Sequence, residues 1–150
     1  MNLVLPSFRG GLARVNAALG ALTPAPLVAL VLRAGIAAPF FLSGRTKVDG
    51  LFALSDSTVY LFAEEYRVPV LPPEFAAWLA AGAEHLFPVL IVVGLFTRVS
   101  ALALIGMTLV IQLFVVPGGW PTHLLWLGPL MYLVAHGPGR ISLDRLFQLD

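Results

Sequence analysis

Four long apolar segments, separated by short polar breaks, dominate the hydrophobic pattern of this chain. Each is close to the roughly 17–25 residues that an α-helix needs to cross a bilayer. Connections of only a few residues join the second, third and fourth segments, so these must run as antiparallel neighbours. The pattern predicts four membrane-spanning helices, at residues 26–43, 74–94, 99–116 and 120–136.

Two segments outside the predicted spans also carry a pattern. Near the N-terminus, apolar residues recur at intervals of four and three, which is typical of an amphipathic helix on a membrane surface. These residues are Phe8, Leu12, Val15, Leu19 and Leu22. The aromatic-rich connection 44–73 is predicted to fold back over the outer mouth of the bundle, with Ser57 capping a short helix that ends near Tyr66.

Composition agrees with a chain that lies mostly in lipid. Hydrophobic residues make up 59% of the 150 residues and charged residues 11%, against about a quarter charged in ordinary globular proteins. The predicted fold is therefore all-α, an integral membrane four-helix bundle at residues 26–136. A surface segment at 1–25 precedes it and a C-terminal segment at 137–150 follows. The predicted partner of the outer surface of the bundle is a lipid bilayer. No basic run in the sequence points to nucleic acid.

The distribution of basic residues predicts the orientation. Five lie on the side that holds both termini and the turn at 95–98: Arg9, Arg14, Arg98, Arg140 and Arg145. Three lie on the opposite side: Arg45, Lys47 and Arg67. By the positive-inside rule, both termini are expected in the cytoplasm.

Two ionisable residues fall inside the first and second spans. If all spans begin at one level, Arg33 lies about 10 Å and Glu84 about 15 Å from the cytoplasmic edge. A lone carboxylate at the bilayer centre costs about 2.5–3.5 kcal/mol, so we expect the two to pair; the alternative is a protonated Glu84. Such a pair either supports a site or only locks two helices in register.

A second polar cluster is predicted in the outer half of the membrane. His123 opens the fourth span in the stretch WPTH, close to Trp120 and Trp126 and level with Gln112. It could serve as a metal ligand, a proton carrier or a donor to a bound carbonyl, or be a hydrogen-bonded structural residue. Glu84, His85 and His123 are ligand types that suit zinc or copper. Haem ligation by the two histidines is not favoured, because their depths differ by about 6 Å.

Several stretches together resemble the DoxX family of small four-span membrane proteins, over about residues 27–147. They are the arginine and small residues of the first span running into FFLSGRTK, the second-span glutamate followed by VVGLFTR, the alanine-rich third span and the exit sequence GPGRISLDRL. The resemblance implies a bundle in the bacterial inner membrane and assigns the family's residues to Arg33, Glu84 and Arg98. It also implies a quinone-linked redox or oxidative-stress complex with protein partners, and the WPTH branch is associated with metal-responsive gene clusters. Cysteine-dependent thiol redox is excluded, because the chain has no cysteine.

The exit sequence has a local interpretation of its own. Gly137 is expected to end the fourth helix, and Ser142 to cap a short surface helix with Asp144 in its first turn. Arg98 could pair with Asp144, and Arg140 could meet anionic lipid. These three charged residues are expected to be structural.

Three functions remain open at this point. The favoured one is a redox accessory subunit that binds a quinone or another lipophilic ligand inside the bundle. The residues predicted to bind the ligand or carry protons are Arg33, Glu84, His85, Gln112, Trp120 and His123. Of these, Glu84 or His85 could carry protons. The alternatives are a metal-handling protein or transporter and a scaffold subunit with no ligand. The chain has no nucleophile–base pair, phosphate loop or cofactor fingerprint, so it is not expected to be an enzyme by itself.

Overall fold

The computed structural model describes residues 4–50, 53–66 and 68–149, with side chains from Arg9 onward. It is helical almost throughout. The long helices are α1 (Val4–Leu22), α2 (Ala25–Thr46), α4 (Pro73–Val93), α5 (Thr97–Val110) and α6 (Trp120–His136). The short helices are α3 (Asp56–Tyr60) and α7 (Leu143–Leu146). Wider π-helical turns extend α3 over Leu61–Tyr66 and α5 over Ile111–Val115.

Helices α2, α4, α5 and α6 pack together as a four-helix bundle. The closest packing is between α2 and α4; α5 packs between α4 and α6, and α6 also contacts α2. Among the described residues, three helices have the length and apolarity to cross a membrane: α2, α4, and α5 with its extension. The fourth, α6, has 17 residues, at the lower end of what a bilayer requires. The all-α membrane fold is confirmed.

The apolar residues show the inverted distribution of a protein dissolved in lipid. Side chains such as Phe40, Ile91 and Leu104 fill the centre of the bundle. At the same time large apolar side chains such as Leu102 and Leu125 are exposed on its outside. Soluble proteins rarely expose apolar surface on this scale, so the outer face of the bundle is suited to acyl chains.

The predicted helix bounds hold for the second and fourth spans within a residue or two, whereas the first span is longer than predicted. It starts at Ala25 and continues to Thr46. The N-terminal helix also forms as predicted, and its stripe from Leu12 to Leu22 is exposed. The side chain of Phe8 lies outside the described residues, and the surface location of α1 stays a prediction.

The long connection folds back on the bundle as predicted. After a two-residue antiparallel pair, β1 (Val48–Asp49) with β2 (Ala53–Leu54), α3 and its π-helical extension pack against α4. The predicted cap was wrong: Ser55, not Ser57, accepts the Thr58 N–H, at 3.3 Å. Ser57 lies inside the helix, because Asp56 already occupies its first position. The predicted helix end at Tyr66 is confirmed, and Arg67 lies outside the described residues.

Candidate functional site

A pocket of about 510 Å³ lies between α4, α5, the start of α6 and the folded-back connection. Its walls are mostly apolar, with Phe62, Phe87, Met107 and Trp126 as the large side chains. Both π-helical turns contribute to it, and such turns are frequent at functional sites because they shift side chains out of helical register. The polar side chains in the wall are Ser43, Lys47, Tyr66, Glu84 and His123.

An ion pair forms the most polar part of the pocket wall. Lys47 Nζ lies 2.7 Å from Glu84 Oε2, and the two side chains are 14% and 4% exposed. Ser43 Oγ donates to Glu84 Oε1 at 3.2 Å and accepts from Lys47 Nζ at 2.9 Å. Lys47 follows the last residue of α2, where a cation also interacts favourably with the helix dipole. The carboxylate of Glu84 is thus compensated inside the protein.

Close contact between α2 and α4 holds Glu84 and His85 in place. A Cβ atom at Gly44 would lie 3.0 Å from both side chains, so only glycine allows the two helices to approach this closely. His85 turns away from Glu84: its Nδ1 lies 2.7 Å from the carbonyl of Ala81, and its ring packs edge-on against Phe41. His85 packs against α2 and contributes nothing to the pocket lining.

The expected partnership of Arg33 with Glu84 was wrong. The buried Arg33 guanidinium donates to the carbonyls of Ile91 and Val92 at the end of α4. It also donates to the carbonyls of Pro138 and Ile141 in the exit segment, at 3.3 and 2.5 Å. Arg33 therefore caps α4 and ties the exit segment to it.

The error came from the assumption that all spans begin at one level. Arg33 lies beside the last residues of α4, so the first two turns of α2 extend about 12 Å beyond that helix end. Gly44, which lies against Glu84, is about 17 Å further along α2 than Arg33. That rise brings Lys47, rather than Arg33, to the level of Glu84.

The expected pair between Arg98 and Asp144 was also wrong. The buried Asp144 carboxylate accepts the N–H groups of Phe96 and Thr97 at 2.7 and 2.9 Å, and so caps the start of α5. Arg98 donates to the carbonyls of Val134 and Ala135 near the end of α6. Unsatisfied helix ends attract charge of the opposite sign. Asp144 therefore binds the start of α5 and Arg98 binds the end of α6, so the two side chains do not pair with each other. Arg140 is exposed at the same end of the bundle.

The exit segment itself forms as expected. Gly137 follows the last residue of α6, and Ser142 Oγ accepts the N–H of Arg145 at 3.2 Å at the start of α7. Asp144 is structural, as expected, and its partner is the first turn of α5.

The predicted cluster around His123 is present except for one member. His123 Nδ1 lies 2.5 Å from Gln112 Oε1, and Gln112 Nε2 lies 2.6 Å from the carbonyl of Pro117. The imidazole packs on Trp126, with ring centroids 5.1 Å apart. Trp120 is 53% exposed and lies outside the pocket lining, because the first turn of α6 points it outward. Trp126, the other tryptophan predicted near His123, does line the pocket.

The predicted metal ligands are not assembled. Glu84 and His123 line the pocket, but His85 faces α2. Within the described parts of the chain, no three His, Cys, Asp or Glu side chains come close enough together to hold a metal ion. Adjacent helical residues point about 100° apart, so Glu84 and His85 occupy different faces of α4, but the sequence did not show which of the two would face the pocket.

Two residues of the pocket wall were not predicted to lie there. Lys47 was assigned to the outer loop, although it lies one helical turn after Ser43 and so shares its face. Tyr66 was predicted only as the end of the short helix in the aromatic-rich connection. Burial, and then the negative charges of Glu65 and Glu84, raise the pKa of the Tyr66 phenol. Its hydroxyl group therefore remains a protonated hydrogen-bond donor in the pocket wall at neutral pH.

Fold and pocket together define a multi-pass all-α membrane protein with a largely apolar pocket that contains a compensated charge pair. The family model of DoxX matches residues 28–117, and the chain belongs to the DoxX family. The match covers α2 to α5 and ends before α6, so the wider resemblance over 118–147 stays a prediction.

One curated relative is an uncharacterized protein of Haemophilus influenzae. It is 29% identical over an alignment of 132 residues that covers 79% of this chain and 82% of the relative. No solved structure matches the chain significantly.

Proposed function

We propose that this protein binds a lipophilic ligand with a small polar head, of the quinone class, in the pocket beside Glu84. The observation that carries the proposal is the Lys47–Glu84 ion pair in the wall of an otherwise apolar pocket of about 510 Å³. Binding sites for small molecules are commonly apolar, with a few convergent polar groups, and have volumes of about 300–1,000 Å³. An apolar tail suits the walls, and a polar head suits the groups that converge there.

The position of the ion pair supports a binding role. A buried ion pair is seldom the most stable solution for helix packing, because desolvation offsets its attraction. Ionisable residues at membrane depth more often mark a ligand or proton pathway. Lys47 and Tyr66 offer donors and Glu84 offers an acceptor, the combination that a head group with carbonyl or hydroxyl oxygens requires.

The redox context comes from the resemblance to the DoxX family. On this proposal the protein is an accessory component of a quinone-linked or stress-response system in the bacterial inner membrane, and it acts with a protein partner. Both termini face the cytoplasm. Helix α1 then lies on the inner leaflet, with its exposed stripe from Leu12 to Leu22 in the lipid and Arg9 and Arg14 beside the headgroups.

The binding proposal can be tested by tryptophan fluorescence. In a Trp78→Phe/Trp120→Phe background, Trp126 in the pocket wall is the remaining indole. Purified protein in detergent micelles is titrated with a short-chain benzoquinone, which quenches a nearby indole. We expect saturable quenching, beyond the linear quenching that the same quinone gives with free tryptophan in the micelles.

A matched pair of variants locates the site. Ala83→Phe fills the pocket and is expected to weaken binding at least tenfold. Gly82→Phe adds the same ring to the neighbouring position, where a Cβ meets open space, and should leave binding unchanged. Non-saturable quenching, or equal affinity in both variants, would overturn the proposal and favour a scaffold without a ligand.

A further inference from the structure

The hydrogen-bond chain behind the pocket fixes the proton on His123. The chain runs from the Pro117 carbonyl to the Gln112 amide and on to the imidazole, with separations of 2.6 and 2.5 Å. All three residues belong to the junction between α5 and α6. The His123 side chain is 3% exposed and forms part of the pocket wall.

The direction of each hydrogen bond follows from its end point. The Pro117 carbonyl can only accept, so the nitrogen of the Gln112 amide must face it and the amide oxygen must face His123. That oxygen can also only accept, so Nδ1 of His123 carries a hydrogen. In the neutral tautomer that carries its hydrogen on Nδ1, no hydrogen is left on Nε2. Nε2 of the neutral ring then holds a lone pair and accepts hydrogen bonds.

The surroundings of the ring leave Nε2 available for a ligand. The Trp126 ring packs against the imidazole at a tilt of 46°, and Gly119 packs against its Cε1 edge, where a Cβ would lie 2.5 Å from Cε1 and 3.0 Å from Nε2. Within residues 4–50, 53–66 and 68–149, the structure shows no hydrogen bond to His123 Nε2. In this tautomer Nε2 is the acceptor atom of a residue in the pocket wall, whereas the sequence also allowed a donor to a bound carbonyl.

We infer that the occupant of the pocket carries a hydroxyl group that donates to His123 Nε2, as a phenol or hydroquinone does. This inference rests on the proposed binding function and narrows it. A hydroxyl-bearing ligand satisfies Nε2, while a ligand with only carbonyl or ether oxygens leaves the lone pair desolvated and unpaired. Sites built to pair with a hydroxyl group discriminate strongly against analogues that lack it.

The test compares two redox-inactive probes of nearly equal size, a 4-alkylphenol and its methyl ether. Binding to the full chain in detergent micelles is measured through Trp126 fluorescence. We expect the phenol to bind at least tenfold more tightly. His123→Phe keeps a ring against Trp126 but removes the acceptor, so the phenol should lose its advantage. Unchanged affinity for the ether shows that this variant is folded.

A variant of Gln112 tests whether the His123 tautomer sets the preference for the phenol. Gln112→Leu removes the acceptor for Nδ1–H while keeping a side chain of similar size, and should reduce the preference severalfold. Independently of any ligand, ¹⁵N NMR of the histidine ring should show a protonated Nδ1 and an unprotonated Nε2 at His123.

The possible failures are distinguishable. If both probes bind equally, or NMR shows a proton on Nε2, the hydroxyl-donor inference is overturned while pocket binding stands. If neither probe nor the quinone binds, the proposed function fails and this inference fails with it.

Discussion

Lys47 Nζ and Glu84 Oε2 lie 2.7 Å apart, although Lys47 follows the end of α2 and Glu84 lies at the middle of α4. The folded-back connection contributes Phe62 and Tyr66 to the same pocket wall. The lysine side chain runs back along its own helix to reach Ser43 and the carboxylate. The pair thus joins α2 to α4 and also gives the pocket its charge.

Removing one charge of the Lys47–Glu84 pair should destabilise the protein more than removing both. Lys47→Met strands a buried carboxylate and is expected to lower the free energy of unfolding by about 3–5 kcal/mol. The double variant Lys47→Met/Glu84→Leu should recover most of that loss, because no charge is left unpaired. Unfolding in mixed dodecylmaltoside–SDS micelles, followed by circular dichroism, measures all four corners of the cycle. Additive losses would mean that the two side chains are not coupled.

Arg33 should matter for stability and not for ligand binding. Arg33→Met leaves carbonyls at the end of α4 and in the exit segment without donors, and hydrogen bonds to a charged group contribute about 1.5–3 kcal/mol each. We expect a loss of at least about 3 kcal/mol, with Arg33→Lys restoring only part, since an ammonium cannot span several carbonyls as a planar guanidinium does. Thermal unfolding measures the loss. Folded Arg33→Lys protein with weakened quinone affinity would restore the original expectation of a shared site with Glu84.

The positions of the helices could be predicted from the sequence far better than the pairing of the buried polar side chains. Helix α6 could be placed at Trp120–His136 from its apolar run and the flanking glycines, and a buried Glu84 followed from its position within a span. Pairing depends on the vertical offset between helices, which no local pattern encodes. Two extra turns at the start of α2 were enough to exchange Arg33 for Lys47. The contact between Gln112 and His123 was predictable, because a short turn fixes the offset between their helices.

Asp144 should stabilise α5 from outside that helix. Its carboxylate caps the N–H groups of Phe96 and Thr97, and loss of a helix cap typically costs about 0.5–2 kcal/mol. The loss of stability in Asp144→Ala should lie at the upper end of that range because the site is buried. Asp144→Asn should be destabilised less. Asp49→Ala, an exposed carboxylate in the connection, provides the control. Thermal unfolding and protease sensitivity of the exit segment give the readout, and equal effects of Asp144→Ala and Asp49→Ala would argue against the cap.

Ionisation of Tyr66 should destabilise the protein at alkaline pH. Burial raises the pKa of its phenol in the folded state above the unfolded value of about 10. The stabilisation is therefore complete below the unfolded pKa and is lost as pH rises through the folded pKa. In a Tyr60→Phe/Tyr132→Phe background, ultraviolet absorbance reports the titration of Tyr66 directly. A midpoint at or below the value of the detergent-unfolded protein would contradict this.

Gly119 and Gly118 form a matched pair that probes the position of His123. A Cβ at Gly119 would lie 2.5 Å from His123 Cε1 and 3.0 Å from Nε2, so the imidazole would have to move, whereas a Cβ at Gly118 meets nothing within 4 Å. Overpacking of this kind costs about 1–3 kcal/mol, while a change at an open site stays within about 0.5 kcal/mol. Gly119→Ala should therefore lower the unfolding temperature and abolish the preference for a phenol over its methyl ether. Gly118→Ala should retain the unfolding temperature and the preference for the phenol. If the two variants changed these two quantities equally, the imidazole would not be held where the structure places it.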